Sequence, residues 1–180
     1  MASAKDNWYT EWFNSPYYHI LYQHRNHEEA ARFIDNLIEH LQPSPRARML
    51  DLACGRGRHS LYLCKKGFQV TGLDLSPANI EAARSIQCGQ LDFAVHDMRE
   101  VYKKNHFDYV FNFFTSFGYF KEEADNERTL HAIAADLKPG GKVVIDFMNA
   151  QQVIDNLVTH QTKTLDGIPF DIQKHYRAPF

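Results

Sequence analysis

The chain has 180 residues, 44% of them hydrophobic and 23% charged, with a formal net charge of −2. That balance suits one soluble domain with a sizeable core and lacks the basic excess of a nucleic-acid binder. No run reaches the roughly 20 apolar residues that span a bilayer, and the first residues show no apolar signal core, so neither membrane nor secretory leader is expected.

The first forty residues read as helical. In the stretch 28–41, Ala30, Phe33, Ile34, Leu37, Ile38 and Leu41 recur at helical spacing and form one apolar stripe. Pro43 and Pro45 stop that helix. From there strands and helices alternate. Residues 48–53 are strand-like, 59–66 helical up to Gly67, and 68–75 a second strand. Ser76 is placed to cap a helix over 77–86, with Pro77 at its first position.

A third strand covers 91–95 and a fourth, bulky on both faces, 107–114. A helix over 127–137 follows, with Leu130, Ile133, Ala134 and Leu137 on its apolar side. Lys138-Pro139-Gly140-Gly141 is the turn into a fifth strand over 142–148. A short helix over 151–158 then precedes two strands joined at Asp166-Gly167, a hairpin signal. Alternating strands and helices predict a doubly wound, mostly parallel α/β sheet. Three regions are expected: an amino-terminal helical lid over 1–45, an α/β core over 46–150, and a helix plus hairpin over 151–180.

Ligands in such sheets bind at the carboxyl ends of the strands. The segment Asp51-Leu52-Ala53-Cys54-Gly55-Arg56-Gly57 lies at such an end and admits two readings. The dinucleotide fingerprint Gly-x-Gly-x-x-Gly fits Gly55 and Gly57, but Ser60 stands where its third glycine belongs. Asp51 is also poorly placed beside a pyrophosphate and well placed beside a cation. Asp74 ends the second strand and suits a pair of ribose hydroxyls, though dinucleotide folds use an acid there too. Asp97 follows the third strand.

The ordered set of Asp51, Gly55, Gly57, Asp74, Asp97 and the Pro-Gly-Gly turn resembles the class I S-adenosylmethionine-dependent methyltransferases over about residues 28–150. The resemblance implies a Rossmann-like fold with S-adenosyl-L-methionine as cofactor. It places Asp51 near the cofactor's ammonium, directly or through water, with Ala53, Gly55 and Gly57 along its backbone-lined side. Asp74 would meet the ribose hydroxyls, and Asp97 and the Met98 N–H the adenine, with Leu75 and Phe113 also among the cofactor-binding residues. Asp108 and the Lys138–Gly141 turn would serve the fold.

The sulfonium is a good leaving group, so such an enzyme mainly aligns and dries its reactants. No catalytic base is therefore named; His19, His59 and His96 are the histidines near enough in sequence to weigh. Tyr18, Tyr22, Arg25, His59, Phe114, Thr115 and Ser116 are expected to line the substrate side, with Tyr17 beside them in the lid and Arg58 at the turn. His24, His27 and Glu28 lack a further ligand group at a usual spacing, so no metal is expected. Asn112, inside an apolar strand, requires a hydrogen-bond partner if buried.

The fourth strand runs into Asn-Phe-Phe-Thr rather than the Pro-Pro-Tyr motif of base-modifying relatives, which favours a small-molecule acceptor over nucleic acid. The last strands of the usual sheet are expected to be missing, leaving an exposed fifth strand that would pair with another chain, as in a homo-oligomer. Two other functions stay open: a protein that holds S-adenosylmethionine or S-adenosylhomocysteine without transfer, and a nicotinamide oxidoreductase. Cys54, Cys64 and Cys88 form neither a disulfide framework nor a zinc spacing, so a reducing cytoplasm is the expected setting.

Overall fold

A computed structural model describes residues 8–23, 27–86 and 88–177. Two short helices, α1 (Trp8–Asn14) and α2 (Pro16–Leu21), precede the longer α3 (His27–Leu41). Then come β1 (Arg48–Leu52), α4 (Arg58–Lys65), β2 (Gln69–Asp74), α5 (Pro77–Arg84), β3 (Leu91–Val95), β4 (Phe107–Asn112), α6 (Glu123–Asp136) and β5 (Leu137–Ile145). The chain continues through α7 (Ala150–Asp155), β6 (His160–Leu165) and β7 (Ile168–Gln173).

The five-stranded sheet has the order β3-β2-β1-β4-β5, and every pairing in it is parallel. Chain order reverses beside β1, between the β1–β2 and β1–β4 pairs. That is where a doubly wound sheet opens its crevice. Apolar residues explain why the sheet is covered twice. Met49, Val70, Tyr109, Phe111 and Phe113 meet Ile34 of α3 and Leu63 and Cys64 of α4 in one core cluster. Leu50, Leu52, Leu73 and Val110 meet Ile133 of α6 in a second. The apolar stripe expected on α3 is the face that docks: Ile34 is buried, and Phe33, Leu37, Ile38 and Leu41 pack around it.

Local signals act as the sequence suggests at several points. Ser76 Oγ accepts from the Asn79 N–H, and Pro77 opens α5. Asp166 and Gly167 both take positive φ, the geometry of a tight hairpin turn, and β6 pairs antiparallel with β7. Among the described residues, β6 and β7 form their own two-stranded sheet, and β5 is an edge strand.

Three expectations need correction. The helix expected over 127–137 begins at Glu123, and its buried face is Thr129, Ala132, Ile133 and Asp136 rather than the Leu130 side. Leu130 is 46% exposed. Polar groups turn inward because they find partners: Thr129 Oγ1 donates to the Asp125 carbonyl, and Asp136 accepts from the Tyr102 and Lys103 N–H groups. The fifth strand begins earlier, at Leu137, and absorbs the Pro-Gly-Gly turn through a register shift opposite Phe107 and Tyr109. Finally, Cys64 and Cys88 form a disulfide. Their separation of 24 residues carries no signal in the sequence; the fold brings the end of α4 beside the segment that leads into β3.

Candidate active site

The turn after β1 is built from left-handed residues: Ala53 (φ 64), Gly55 (φ 57) and Gly57 (φ 78). The two glycines serve different ends. A Cβ on Gly57 would lie 2.5 Å from the Phe93 ring, so glycine there lets α4 seat against β3. A Cβ on Gly55 would meet nothing within 4 Å, so backbone there faces open space. The turn is tied to β2 twice: the Cys54 N–H donates to the Leu73 carbonyl, and the Gly55 N–H donates to Asp74 Oδ2 at 2.8 Å.

Asp51 sits beneath this turn with only 1% of its surface exposed. Ser60, fully buried in the first turn of α4, donates its hydroxyl to Asp51 Oδ2 at 2.5 Å. Burial pushes the Asp51 carboxyl up to about 6; the Ser60 hydrogen bond opposes that rise, and the nearby charge of Asp74 adds to it. Asp51 and Asp74 are thus electrostatic neighbours at the switch point. Burial also pushes the Cys54 thiol up, so this free cysteine stays protonated.

Asp74 is held in place from three sides. Oδ2 accepts from Gly55, and Oδ1 accepts from the Ser76 N–H at 2.9 Å and the Asn79 amide at 3.3 Å. A carboxylate has about four acceptor directions, so among the described residues one remains on the oxygen beside Gly55. Asp97 differs. Its Oδ1 accepts from the Arg99 N–H and Nε, each at 3.0 Å, and its Oδ2 from Arg99 Nε at 3.1 Å and Nη2 at 2.6 Å. Arg99 also reaches Asp125 at 2.9 Å and stacks 5.0 Å from the Phe120 ring.

β4 ends in a strained turn. Phe114 (φ 60) and Thr115 (φ 55) are consecutive left-handed residues, a conformation that costs a side-chain-bearing residue about 1–2 kcal/mol. Asp146, just past β5, holds the pair: its Oδ2 accepts from the Phe114 N–H at 2.9 Å and its carbonyl from the Thr115 N–H at 3.0 Å. Ser116 Oγ donates to the Phe113 carbonyl. Asn112 is fully buried; its amide donates to the Leu52 carbonyl at 3.0 Å, while its Oδ1 finds no partner among the described residues.

Aromatic rings of α1 and α2 gather above. Tyr18 meets Trp12, Phe13 and Tyr22, and Tyr22 meets Phe114. Burial raises the Tyr18 hydroxyl to about 12. Arg58 lies 5.8 Å from the centre of the Phe114 ring and pairs with Glu29 at 3.1 Å. Ser76 Oγ donates to Asn14 Oδ1 and so joins the end of α1 to the cap of α5.

The sequence candidates therefore separate. Asp51, Ala53, Gly55, Gly57 and Asp74 converge at one turn. Leu75 is 41% exposed at the end of β2. Tyr18, Tyr22, Phe114 and Thr115 form a second group at the end of β4. Two candidates face elsewhere: Phe113 is buried against Phe111, and His59 lies against Phe33 and Phe113. The Met98 side chain packs on the second core cluster, while its expected role belongs to its backbone N–H. Burial holds His59 down to about 3, so it is neutral. His24 and Arg25 lie outside the described residues. Sequence reasoning missed Ser60, Arg99 and Asp146 as partners. The one trace of Ser60 was its place in the broken glycine pattern. At the opposite end of the strands, hollows of about 290 and 300 Å³ contain none of the candidate residues.

Residues 49–141 match the family described as "Methyltransferase domain". The chain belongs to the class I S-adenosylmethionine-dependent methyltransferases. The Bacillus subtilis protein YqeM is 30% identical over 141 residues, covering 77% of this chain and 55% of its own length. A glycine/sarcosine N-methyltransferase from Aphanothece halophytica is 31% identical over 155 residues, covering 83% of this chain and 57% of its own. The chain thus spans about half the length of the curated relatives it matches. An S-adenosylmethionine-bound amino pentose methyltransferase from Micromonospora echinaspora is 29% identical, with a TM-score of 0.65 over 82% of this chain and 63% of that one.

Proposed function

We propose that this chain binds S-adenosylmethionine at the carboxyl ends of β1 and β2 and transfers its methyl group to a small-molecule acceptor. The observation that carries this reading is the Gly55–Asp74 bond. It sets a carboxylate oxygen with a spare acceptor direction beside a glycine that faces open space, with a second carboxylate, Asp51, just beneath. Paired acids at this point suit a ligand that is cationic at one end and bears hydroxyls at the other, and suit a pyrophosphate badly. The cofactor supplies a methyl group on a sulfonium.

The protein's own part is then alignment and dryness. Asp74 would orient the ribose, and Asp51 would balance the ammonium. Phe114 and Thr115 would form the floor of the transfer zone, and Tyr18 and Tyr22 its roof. Residues 1–45 act as the lid of a core over 46–150, and 151–180 as an appended helix and hairpin. The acceptor enters between lid and floor. The named relatives support a small molecule: one acts on glycine and sarcosine, another on an amino pentose.

Asp97 fits its expected adenine role poorly, because Arg99 already fills its acceptor directions. The adenine would rest instead on backbone near Met98. The β5 edge, with Val143, Phe147 and Met148 exposed, is proposed as the face that pairs with a second chain. No helix among the described residues is long and apolar enough to cross a membrane. We propose a cytoplasmic setting, as the sparse cysteine content suggests; the Cys64–Cys88 disulfide is the observation that speaks against it, and thiol counting in a fresh lysate tests it.

Incubation with methyl-labelled S-adenosylmethionine and a small-molecule extract tests the activity. Label transferred to a low-mass product supports it. Binding without transfer to any fraction would leave a non-catalytic holder of the cofactor. Binding of NAD(H) in its place would make the chain an oxidoreductase.

A further inference from the structure

We propose that Ser60 is a positioning residue of the cofactor site: its hydroxyl, donated to Asp51 within the seam between β1 and α4, aims the Asp51 carboxylate and keeps it available as an anion. The inference rests on the cofactor reading above and goes one residue deeper into it. The geometry is specific. Ser60 and Asp51 are 0% and 1% exposed, and 2.5 Å separates their oxygens. A buried carboxylate without donors would hold its proton or turn away. Among the described residues Ser60 supplies the side-chain donor to it, and the Ser60 backbone adds a second hydrogen bond that the hydroxyl variants keep.

The helix that carries Ser60 is itself fixed at both ends. Gly57 packs against the Phe93 ring at its start, and Cys64, one turn beyond Ser60, is bonded to Cys88 near its end. Ser60 is therefore a rigid donor. It also explains the broken glycine pattern: a glycine at this place would remove the hydroxyl that Asp51 uses.

The other groups around Asp51 have assigned directions. Asp74 on β2 opposes its ionisation, and Arg58 on α4 favours it. His59 on α4 is neutral, Cys54 stays protonated, and Asn112 on β4 carries no charge. With the Asp51 carboxyl near 6 and the Ser60 bond lowering it, loss of the hydroxyl moves the ionisation upward. A ligand bearing an ammonium should then bind less well at a given pH, and the pH at which its affinity develops should rise.

Calorimetric titration of S-adenosylmethionine between pH 5 and 7 tests this, below the range near 8 where the ligand's own amine loses its proton. Wild-type affinity should rise through about pH 6. Ser60→Ala should weaken binding at pH 7 by about ten-fold and shift the midpoint upward. Ser60→Thr should restore both, and Ser60→Cys, which keeps the volume with a weaker donor, should lie between. Asp51→Asn should give weak binding that does not change with pH. Wild-type binding with a Ser60→Ala or Ser60→Cys profile superimposable on it overturns the inference alone. No binding by the wild-type protein overturns the cofactor reading and the inference together.

Discussion

Arg99 closes on Asp97 through its backbone N–H, Nε and Nη2, and the contact with Nη2 is only 2.6 Å long. Both oxygens of the carboxylate are thereby engaged twice. Burial would raise the Asp97 carboxyl, but the Arg99 hydrogen bonds and charge outweigh it and leave it below the ordinary value. In this structure the partner of that acid is the arginine. Replacing it should cost stability of about 1–2 kcal/mol in urea titrations at pH 7. A depressed carboxyl stabilises the fold above its unfolded value near 3.8 and loses that effect as pH falls through the lower folded value. The gap between wild type and Arg99→Ala should therefore be full at pH 7 and close as pH falls below 3.8 through the lowered folded value. Affinity for S-adenosylhomocysteine should change by less than three-fold.

Asp51 presents the opposite case. Its carboxyl is raised from 3.8 to about 6, so the folded chain holds this proton more tightly than the unfolded chain. The stability it contributes is full below about pH 4 and falls as pH rises to about 6. Ionised Asp51 thus burdens the fold at neutral pH by about 2–3 kcal/mol. Asp51→Asn removes the ionisation and keeps an acceptor for Ser60. The variant should unfold at a higher temperature than wild type at pH 7, and the gain should vanish toward pH 4. Its affinity for S-adenosylmethionine should fall by at least ten-fold.

Gly55 and Gly57 give a paired test of backbone roles. Both have positive φ, so alanine is strained at either. Only Gly57 also meets a wall, the Phe93 ring 2.5 Å from its would-be Cβ. Gly57→Ala should destabilise by about 3 kcal/mol, from strain plus overpacking. Gly55→Ala should cost about 1 kcal/mol while weakening cofactor binding more than Gly57→Ala does, per unit of lost stability. Thermal melts and calorimetry on the two variants separate these effects.

The Cys64–Cys88 bridge closes a separation of 24 residues. A crosslink over a loop of that length stabilises by about 3 kcal/mol on chain-entropy grounds. Reduction should lower the melting temperature by about 10 °C. Because Cys64 lies on the helix that carries Ser60, cofactor affinity should weaken with it. Melts with and without reductant check the first effect, and titration under the same conditions checks the second.

Much of the frame was legible because it is written locally. Apolar runs at β1, β2 and β4, Pro43 and Pro45 after α3, the Ser76-Pro77 cap and the Asp166-Gly167 turn each act on near neighbours. Asp51 and Asp74 were legible because strand ends set their place. What stayed hidden depends on partners distant in sequence. The rotation of α6 follows from Asp136 reaching the Tyr102 and Lys103 backbone, and apolar periodicity pointed to Leu130 instead. The fate of Asp97 depends on how Arg99 folds back, which spacing does not reveal. His59 looked like a site residue by adjacency to the turn, yet helical geometry sends its ring into the Phe33–Phe113 contact.

On the reading proposed above, the Asp51–Asp74 corner receives the cationic nucleoside S-adenosylmethionine. Calorimetric titration of the protein with S-adenosylmethionine and, in parallel, with NAD(H) decides between the two ligands. One-to-one micromolar binding of S-adenosylmethionine is expected, at least ten-fold weaker in Asp74→Ala, with no heat from NAD(H). Micromolar NAD(H) binding with none of S-adenosylmethionine would overturn the assignment of this corner.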